Sequence, residues 1–270
     1  MSEGGTETLL RINSKEKQMY YRQNRSKTIL QVLAMLLLSA ALFTTASAQT
    51  TNVAFSDGTF SPCWTYSVAG AASGDTEYAL TLTCPTSGGY PGAWMKETFS
   101  IHGTNALVIF WVFNPANTFT GTFASLNYSY DLQDQGRNTF IGYNMGVEQN
   151  GQVYITGNPT IEDGLIAGKT AWADEPNPFF HTGLIASQFC AVPPNASDFV
   201  PLDCNSNPDF SNPALTTTFG YTVGTSWLGG PKGGPFETGI DNWCVVLVGA
   251  SGPGGSGPGC QGVSNLGTGN

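Results

Sequence analysis

Two segments in the middle of the chain alternate apolar and polar residues with a period of two, and this alternation sets the fold class. Leu126, Tyr128, Tyr130 and Leu132 fall on one side of an extended strand, with Asn127, Ser129 and Asp131 on the other. Ile141, Tyr143, Met145 and Val147 repeat the pattern opposite Gly142, Asn144 and Gly146. Asn150-Gly151 then separates Val147 from Val153, and Asn-Gly is the dipeptide that a tight hairpin turn prefers. Residues 106–113 are apolar at every position, which predicts a central strand covered on both faces. Further short runs predict strands over 52–56, 64–68, 78–84, 95–101, 152–156, 166–172, 216–223 and 239–248, separated by clusters of Gly, Asn, Asp and Pro. Beyond the N-terminus no segment shows a helical period with caps. The chain reads as all-β, an antiparallel β-sandwich.

Composition narrows the class further. Only 11% of the 270 residues are charged, too few for the exposed faces of a helical bundle. Aromatics reach 12%, which excludes long disorder. The net charge of −9 argues against nucleic acid as a partner.

The N-terminus reads as a targeting segment. Arg22, Arg25 and Lys27 precede an apolar run over 29–43, and Ala46-Ser47-Ala48 follows as a small-x-small cleavage pattern. That order predicts a secretory signal peptide cut after Ala48, with an uncleaved signal anchor as the alternative. Met19 is an alternative start. The expected organisation is a leader with its extension over 1–48, a sandwich domain over 49–249 and a Gly/Pro-rich flexible tail over 250–270. After cleavage the chain keeps four basic residues (Lys96, Arg137, Lys169 and Lys232) against sixteen acidic ones. Such a surface argues against polyanions and anionic membranes, and it tolerates neutral sugars and divalent cations. The expected location is secreted or extracellular, with periplasm or cell surface as variants, and no membrane insertion after signal cleavage.

All six cysteines lie in the mature part, an even number in an exported chain, so three disulfides are expected. Sequence proximity favours Cys63–Cys84, Cys190–Cys204 and Cys244–Cys260. No Cys/His cluster suggests zinc. Asn127-Tyr-Ser129 and Asn195-Ala-Ser197 are glycosylation sequons.

The two ends of the domain carry recognisable phrases. It opens on Phe55-Ser-Asp-Gly-Thr-Phe60 with Cys63-Trp64, and closes on Glu237-Thr-Gly-Ile-Asp-Asn-Trp-Cys-Val-Val246. This wording resembles the jelly-roll modules of bacterial secreted proteins, the carbohydrate-binding-module and laminin-G-like or MAM-like group, over some thirty residues. The resemblance implies a jelly roll, concanavalin-like or galactose-binding-like, with its first and last strands adjacent. It also implies a structural calcium ion held by Asp57 and Asp241, with Asn242 or Glu237 as helpers, through hard oxygen ligands. Ser61 stands where the family carries a glutamate, which removes one expected ligand. Without a metal, Asp57 belongs to a Ser-Asp-Gly turn and Asp241 and Asn242 bond to backbone.

Catalytic wording is sparse. Glycoside hydrolysis needs two carboxyls set across a sugar, and the adjacent pairs Glu162-Asp163 and Asp174-Glu175 read as loop acids, because neighbouring residues on a strand point to opposite faces. Binding reads better. Sugar-binding sandwiches present flat rings beside hydrogen-bonding side chains. Trp64, Trp111 and Trp243 lie in apolar runs and read as core. Tyr90, Trp94, Trp172 and Trp227, with Asp174 and Glu175, sit in Gly/Pro-rich surroundings and form the expected ligand site, or else lids folded over the sandwich end. The function expected is a non-catalytic binding module for a glycan or another extracellular matrix or cell-surface component. A purely structural extracellular protein, or less favourably a glycoside hydrolase or lyase, is the alternative.

Overall fold

The computed structural model describes residues 51–72, 77–89, 92–103, 106–134, 141–157, 165–166, 179–193, 202–227 and 230–252. The expected leader over 1–48 lies outside them, as does most of the expected tail over 250–270. Thirteen strands are described: β1 (Thr51–Asp57), β2 (Thr65–Ala72), β3 (Glu77–Thr83), β4 (Met95–Gly103), β5 (Ala106–Thr120), β6 (Ser125–Asp134), β7 (Ile141–Gln149), β8 (Gln152–Thr156), β9 (Leu165–Ile166), β10 (Phe179–Leu184), β11 (Phe189–Ala191), β12 (Thr216–Trp227) and β13 (Gly230–Ala250). A single 3-10 turn, Ala186–Gln188, joins β10 to β11.

The strands form two antiparallel sheets. The first runs β10-β6-β13-β4-β3, with β1 also on β13; the second runs β11-β8-β7-β12-β5-β2, with β9 on β7. The expected sandwich is therefore present, and its first and last strands are neighbours: Phe55 pairs with Val245 and Asp57 with Trp243. Asn150 and Gly151 both have positive φ, 52° and 77°, the conformation that the Asn-Gly hairpin reading requires.

The inward faces interlock as one apolar core. Leu126, Tyr128, Tyr130 and Leu132 of β6 meet Tyr143, Met145 and Val147 of β7, with Val108, Phe110 and Val112 of β5 and Phe219, Tyr221 and Val223 of β12. Trp64 and Trp243 are core as expected, edge to face at 4.9 Å. Burying a side chain of this size stabilises by about 1.5–3 kcal/mol, so the core outweighs any single polar contact described below.

Several features depart from the sequence reading, among them β5, which runs to Thr120, and β12, which runs to Trp227, past the expected ends at 113 and 223. Strands β10 and β11 were not anticipated. β13 starts nine residues earlier than expected, pairing with β4 through register breaks between Gly230 and Gly233 and between Gly233 and Phe236. The polar face of β6 is also buried, with Asn127, Ser129 and Asp131 nearly inaccessible. Asn127 Oδ1 accepts a hydrogen bond from the Gly183 amide at 2.7 Å, so this sequon asparagine is a β6–β10 fastener in the folded domain.

Two of the expected disulfides are described, Cys63–Cys84 and Cys190–Cys204. Cys244 is also disulfide-bonded, and Cys260 falls outside the described residues.

Candidate functional site

The outer face of the second sheet is the part of the fold best suited to hold a ligand. Its two middle strands alternate glycines with polar side chains there: Gly146 faces Gly220 and Gly142 faces Gly224 across the β7–β12 ladder, with Thr222 opposite Asn144 and Thr218 opposite Glu148. The Trp111 indole from β5 lies over the first of these pairs, and a Cβ at Gly146 or Gly220 would collide with it. Glycine inside a strand often marks such a close approach. Trp111 stacks on Phe113 at 5.7 Å and donates from Nε1 to Glu148 Oε2 at 2.9 Å. The sequence expectation of a core tryptophan is half right: Trp111 is fully buried, but outside the sandwich interior.

It is buried because the sheet curls. β11 and β2 stand at opposite ends of the strand order, yet Val192, just after β11, lies against Gly70 of β2. With Val153, Ile155 and Trp111 it makes a second apolar cluster. Bare glycines on the concave side let the rims approach without a clash.

Where the rims meet they leave a cavity of about 170 Å³, lined by Ser67, Val68 and Ala69 of β2 and by Glu148, Gly151, Gln152, Val153 and Val192. Its polar groups are orderly. Glu148 spends Oε2 on Trp111, and Gln152 spends its amide nitrogen on the carbonyls of Val153 and Val192, both at 2.8 Å. The second oxygen of Glu148, the amide oxygen of Gln152 and the Ser67 hydroxyl remain to face a guest. That is two acceptors and one hydroxyl, a set suited to ligand O–H groups. The volume is below the ~300 Å³ at which sites for drug-sized molecules begin, so it holds one small polar unit.

A second glutamate makes an instructive neighbour. Glu97 of β4 is fully buried between the sheets. It accepts from the Tyr143 hydroxyl at 2.5 Å, from the Tyr221 hydroxyl, and from Thr238 Oγ1 at 2.8 Å, tying β4 and β13 of one sheet to β7 and β12 of the other. Burial pushes its pKa above the ordinary 4.5, although the three hydroxyl donors pull the other way. Burial, and then the nearby Glu97, push the Tyr221 phenol well above its usual 10.0. This cluster has no route to solvent substrate.

Of the ligand residues expected from sequence, Tyr90, Trp172, Asp174 and Glu175 lie outside the described residues. Trp227 ends β12, opposite Ala106, so its backbone belongs to a strand and not to the expected loop; its side chain is not described. Trp94 is 5% exposed. Its ring lies over Gly239, where a Cβ would collide with it, and its Nε1 donates to the Ser87 carbonyl at 3.3 Å. The ring is thus packed against the sheet.

The expected calcium ligands divide. Asp57 Oδ1 accepts from the amides of Thr59 and Phe60, at 3.0 and 2.6 Å, and Oδ2 accepts from Trp64 Nε1 at 2.8 Å. It therefore works as a turn cap and tryptophan anchor. Asp241 is buried directly opposite Asp131, also buried, across the β13–β6 ladder. Asn242 donates its side-chain amide to Asp131 Oδ2 at 2.6 Å. Asp131 was not anticipated as a partner. Two carboxylates and an amide are hard oxygen donors of the right kind for calcium, but they fall short of its six to eight ligands. No group of three or more His, Cys, Asp or Glu able to hold a metal occurs among the described residues.

No protein-family model and no curated protein matches the chain. Among solved structures it is similar to the family 11 carbohydrate-binding module of the cellulosomal cellulase Lic26A-Cel5E of Clostridium thermocellum. The identity is 12%, covering 69% of this chain and 88% of that one, with a TM-score of 0.34. It is similar to the family 11 module from Clostridium thermocellum in complex with a β-1,3-1,4-mixed-linked tetrasaccharide, at 12% identity over 74% and 97% of the two chains, with a TM-score of 0.37. It is also similar to the CBM36-1 domain of a multidomain xylanase from the hindgut metagenome of Trinervitermes trinervoides, at 9% identity over 63% and 96%, with a TM-score of 0.20. The likeness is one of β-sandwich architecture at low sequence identity.

Proposed function

We propose that the domain is an exported, non-catalytic glycan-binding sandwich, and that the cavity between β2 and the β7–β8 hairpin receives a sugar unit. The observation that carries this is the cavity's polar set: Glu148, Gln152 and Ser67 around about 170 Å³, with the Trp111 indole fixing the glutamate from behind. A sugar ring brings several hydroxyls, and an ionised carboxylate is the strongest acceptor a side chain can offer them.

Binding fits better than cleavage. Glu148 is the one carboxylate among the described residues lining the cavity, whereas glycoside hydrolysis takes two. Glu97 is shut inside the core. The disulfides agree with an oxidising compartment.

Calcium stays part of the proposal in a revised form, with Asp131 and Asp241 as the anionic pair and Asn242 beside them. The two carboxylates stand at facing positions of the β13–β6 ladder, and a divalent ion is the hard cation that such oxygen donors suit. Calcium should raise the melting temperature and EDTA should lower it again; no response would remove calcium from the account.

Calorimetric titration of the purified protein with neutral oligosaccharides tests the main reading. Binding at micromolar to millimolar affinity without release of reducing ends is expected, weakened about tenfold in Glu148→Gln. A structural protein would bind none of them.

A further inference from the structure

Ser67, Val68 and Ala69 of β2 line the cavity, while the Tyr66 ring turns toward the space between the sheets, against Phe110. There the two edge strands, β2 of one sheet and β3 of the other, come together over one ring. Tyr66 and Tyr78 both stand edge-on to Phe110, at 5.8 and 5.9 Å with interplanar angles of 84° and 74°. Phe110 is buried, but Tyr66, Val68 and Tyr78 are 40%, 41% and 39% exposed, and they make up three of the five large exposed hydrophobics among the described residues. Their exposed neighbours Thr65, Ser67, Ala79 and Thr81 are all uncharged, on a chain whose net charge is −9. Two anchored, half-exposed phenol rings beside uncharged side chains suit a ligand with C–H faces and hydroxyls.

We infer that Tyr66 and Tyr78 form a second sugar-contacting surface, and that the ligand is therefore a glycan chain of several units. One unit enters the Glu148 cavity, and the following units pass over β2 onto the two tyrosines. Among the described residues β2 ends its sheet, with no strand paired beyond it. The inference rests on the glycan reading of the cavity and adds the length and course of the ligand to it.

Titration with β-1,3- and β-1,4-linked gluco-oligosaccharides, from disaccharide to hexasaccharide, tests it against a Tyr66→Ala/Tyr78→Ala variant. Wild-type affinity should climb with chain length. The variant should bind the disaccharide unchanged and the hexasaccharide about tenfold more weakly, the sum of two lost ring contacts. Tyr66→Phe/Tyr78→Phe should keep the length dependence, and Tyr66→Thr/Tyr78→Thr replaces the alanine pair should that pair not fold. Equal length dependence in wild type and variant overturns the inference and leaves the cavity reading standing. Failure of wild type to bind any length overturns both. A change of oligomeric state on sedimentation, with affinity unchanged, would make the tyrosine ridge a contact between two copies of the chain and overturn the inference as well.

Discussion

Glu97 and Glu148 are each held by an aromatic donor, and they differ in what stands on the far side. Around Glu97, hydroxyls from two sheets close in from every direction, and both tyrosines are themselves fully buried. The carboxyl is sealed, burial raises its pKa, and its oxygens are used up inside the fold. Around Glu148 the indole occupies one oxygen only, and a polar cavity opens beside the other. A carboxylate wholly spent on its own chain is a structural device. One spent by half beside an empty volume is available to a ligand. Asp57 likewise has both oxygens engaged, Oδ1 by the Thr59 and Phe60 amides and Oδ2 by Trp64.

This contrast can be broken most forcefully at Glu97. Replacing it by alanine leaves Tyr143, Tyr221 and Thr238 with buried hydroxyls short of an acceptor, so Glu97→Ala should cost about 3 kcal/mol in denaturant unfolding. That corresponds to roughly 6–12 °C in melting temperature for a domain of this size. A smaller loss than Glu148→Ala would reverse the assignment. Gly146→Ala pushes a methyl into the Trp111 ring and should cost about 1–3 kcal/mol, since a packed ring on a strand floor has little room to move.

The pH dependence sharpens the contrast by sign. Because burial raises the folded pKa of Glu97 above 4.5, its contribution is fully present below that value and is lost as pH rises through the folded pKa. The stability of wild type relative to Glu97→Gln should therefore improve as pH falls from 7 toward 4.5. A difference that stays flat would show that the carboxyl is ionised in the fold. The smallest effect on stability belongs to Glu148→Gln, expected to stay within about 1 kcal/mol, because the amide oxygen still accepts from the indole.

The alternation in β6 and β7 set out the sheet faces correctly, and Gln152–Thr156 appears with the bounds the sequence suggests. What period two leaves out is whatever covers the second face. Asn127, Ser129 and Asp131 form the polar face of the alternation, yet they are buried. β10 escaped because Phe179-Phe180 puts like residues on opposite faces, and β11 because three residues have no period. The Gly-Pro-Lys-Gly-Gly-Pro stretch reads as a loop, and it pairs all the same through irregular register, where bulges tolerate proline and glycine. The cavity was invisible for a different reason. Glu148 sits in a strand like any solvated acid, and its partner Trp111 is 37 residues away. The one local hint was the glycine at every fourth position of β7, Gly142 and Gly146, which asks for a ring or backbone to lie close above.

The most direct measurement is a side-by-side titration of wild type, Glu148→Gln and Glu97→Gln with one neutral oligosaccharide, each variant's melting temperature recorded in the same buffer. The account predicts that Glu148→Gln loses about tenfold in affinity while melting with wild type, and that Glu97→Gln binds with wild-type affinity whatever its melting temperature. Unchanged affinity in Glu148→Gln, or a loss confined to Glu97→Gln, would contradict it.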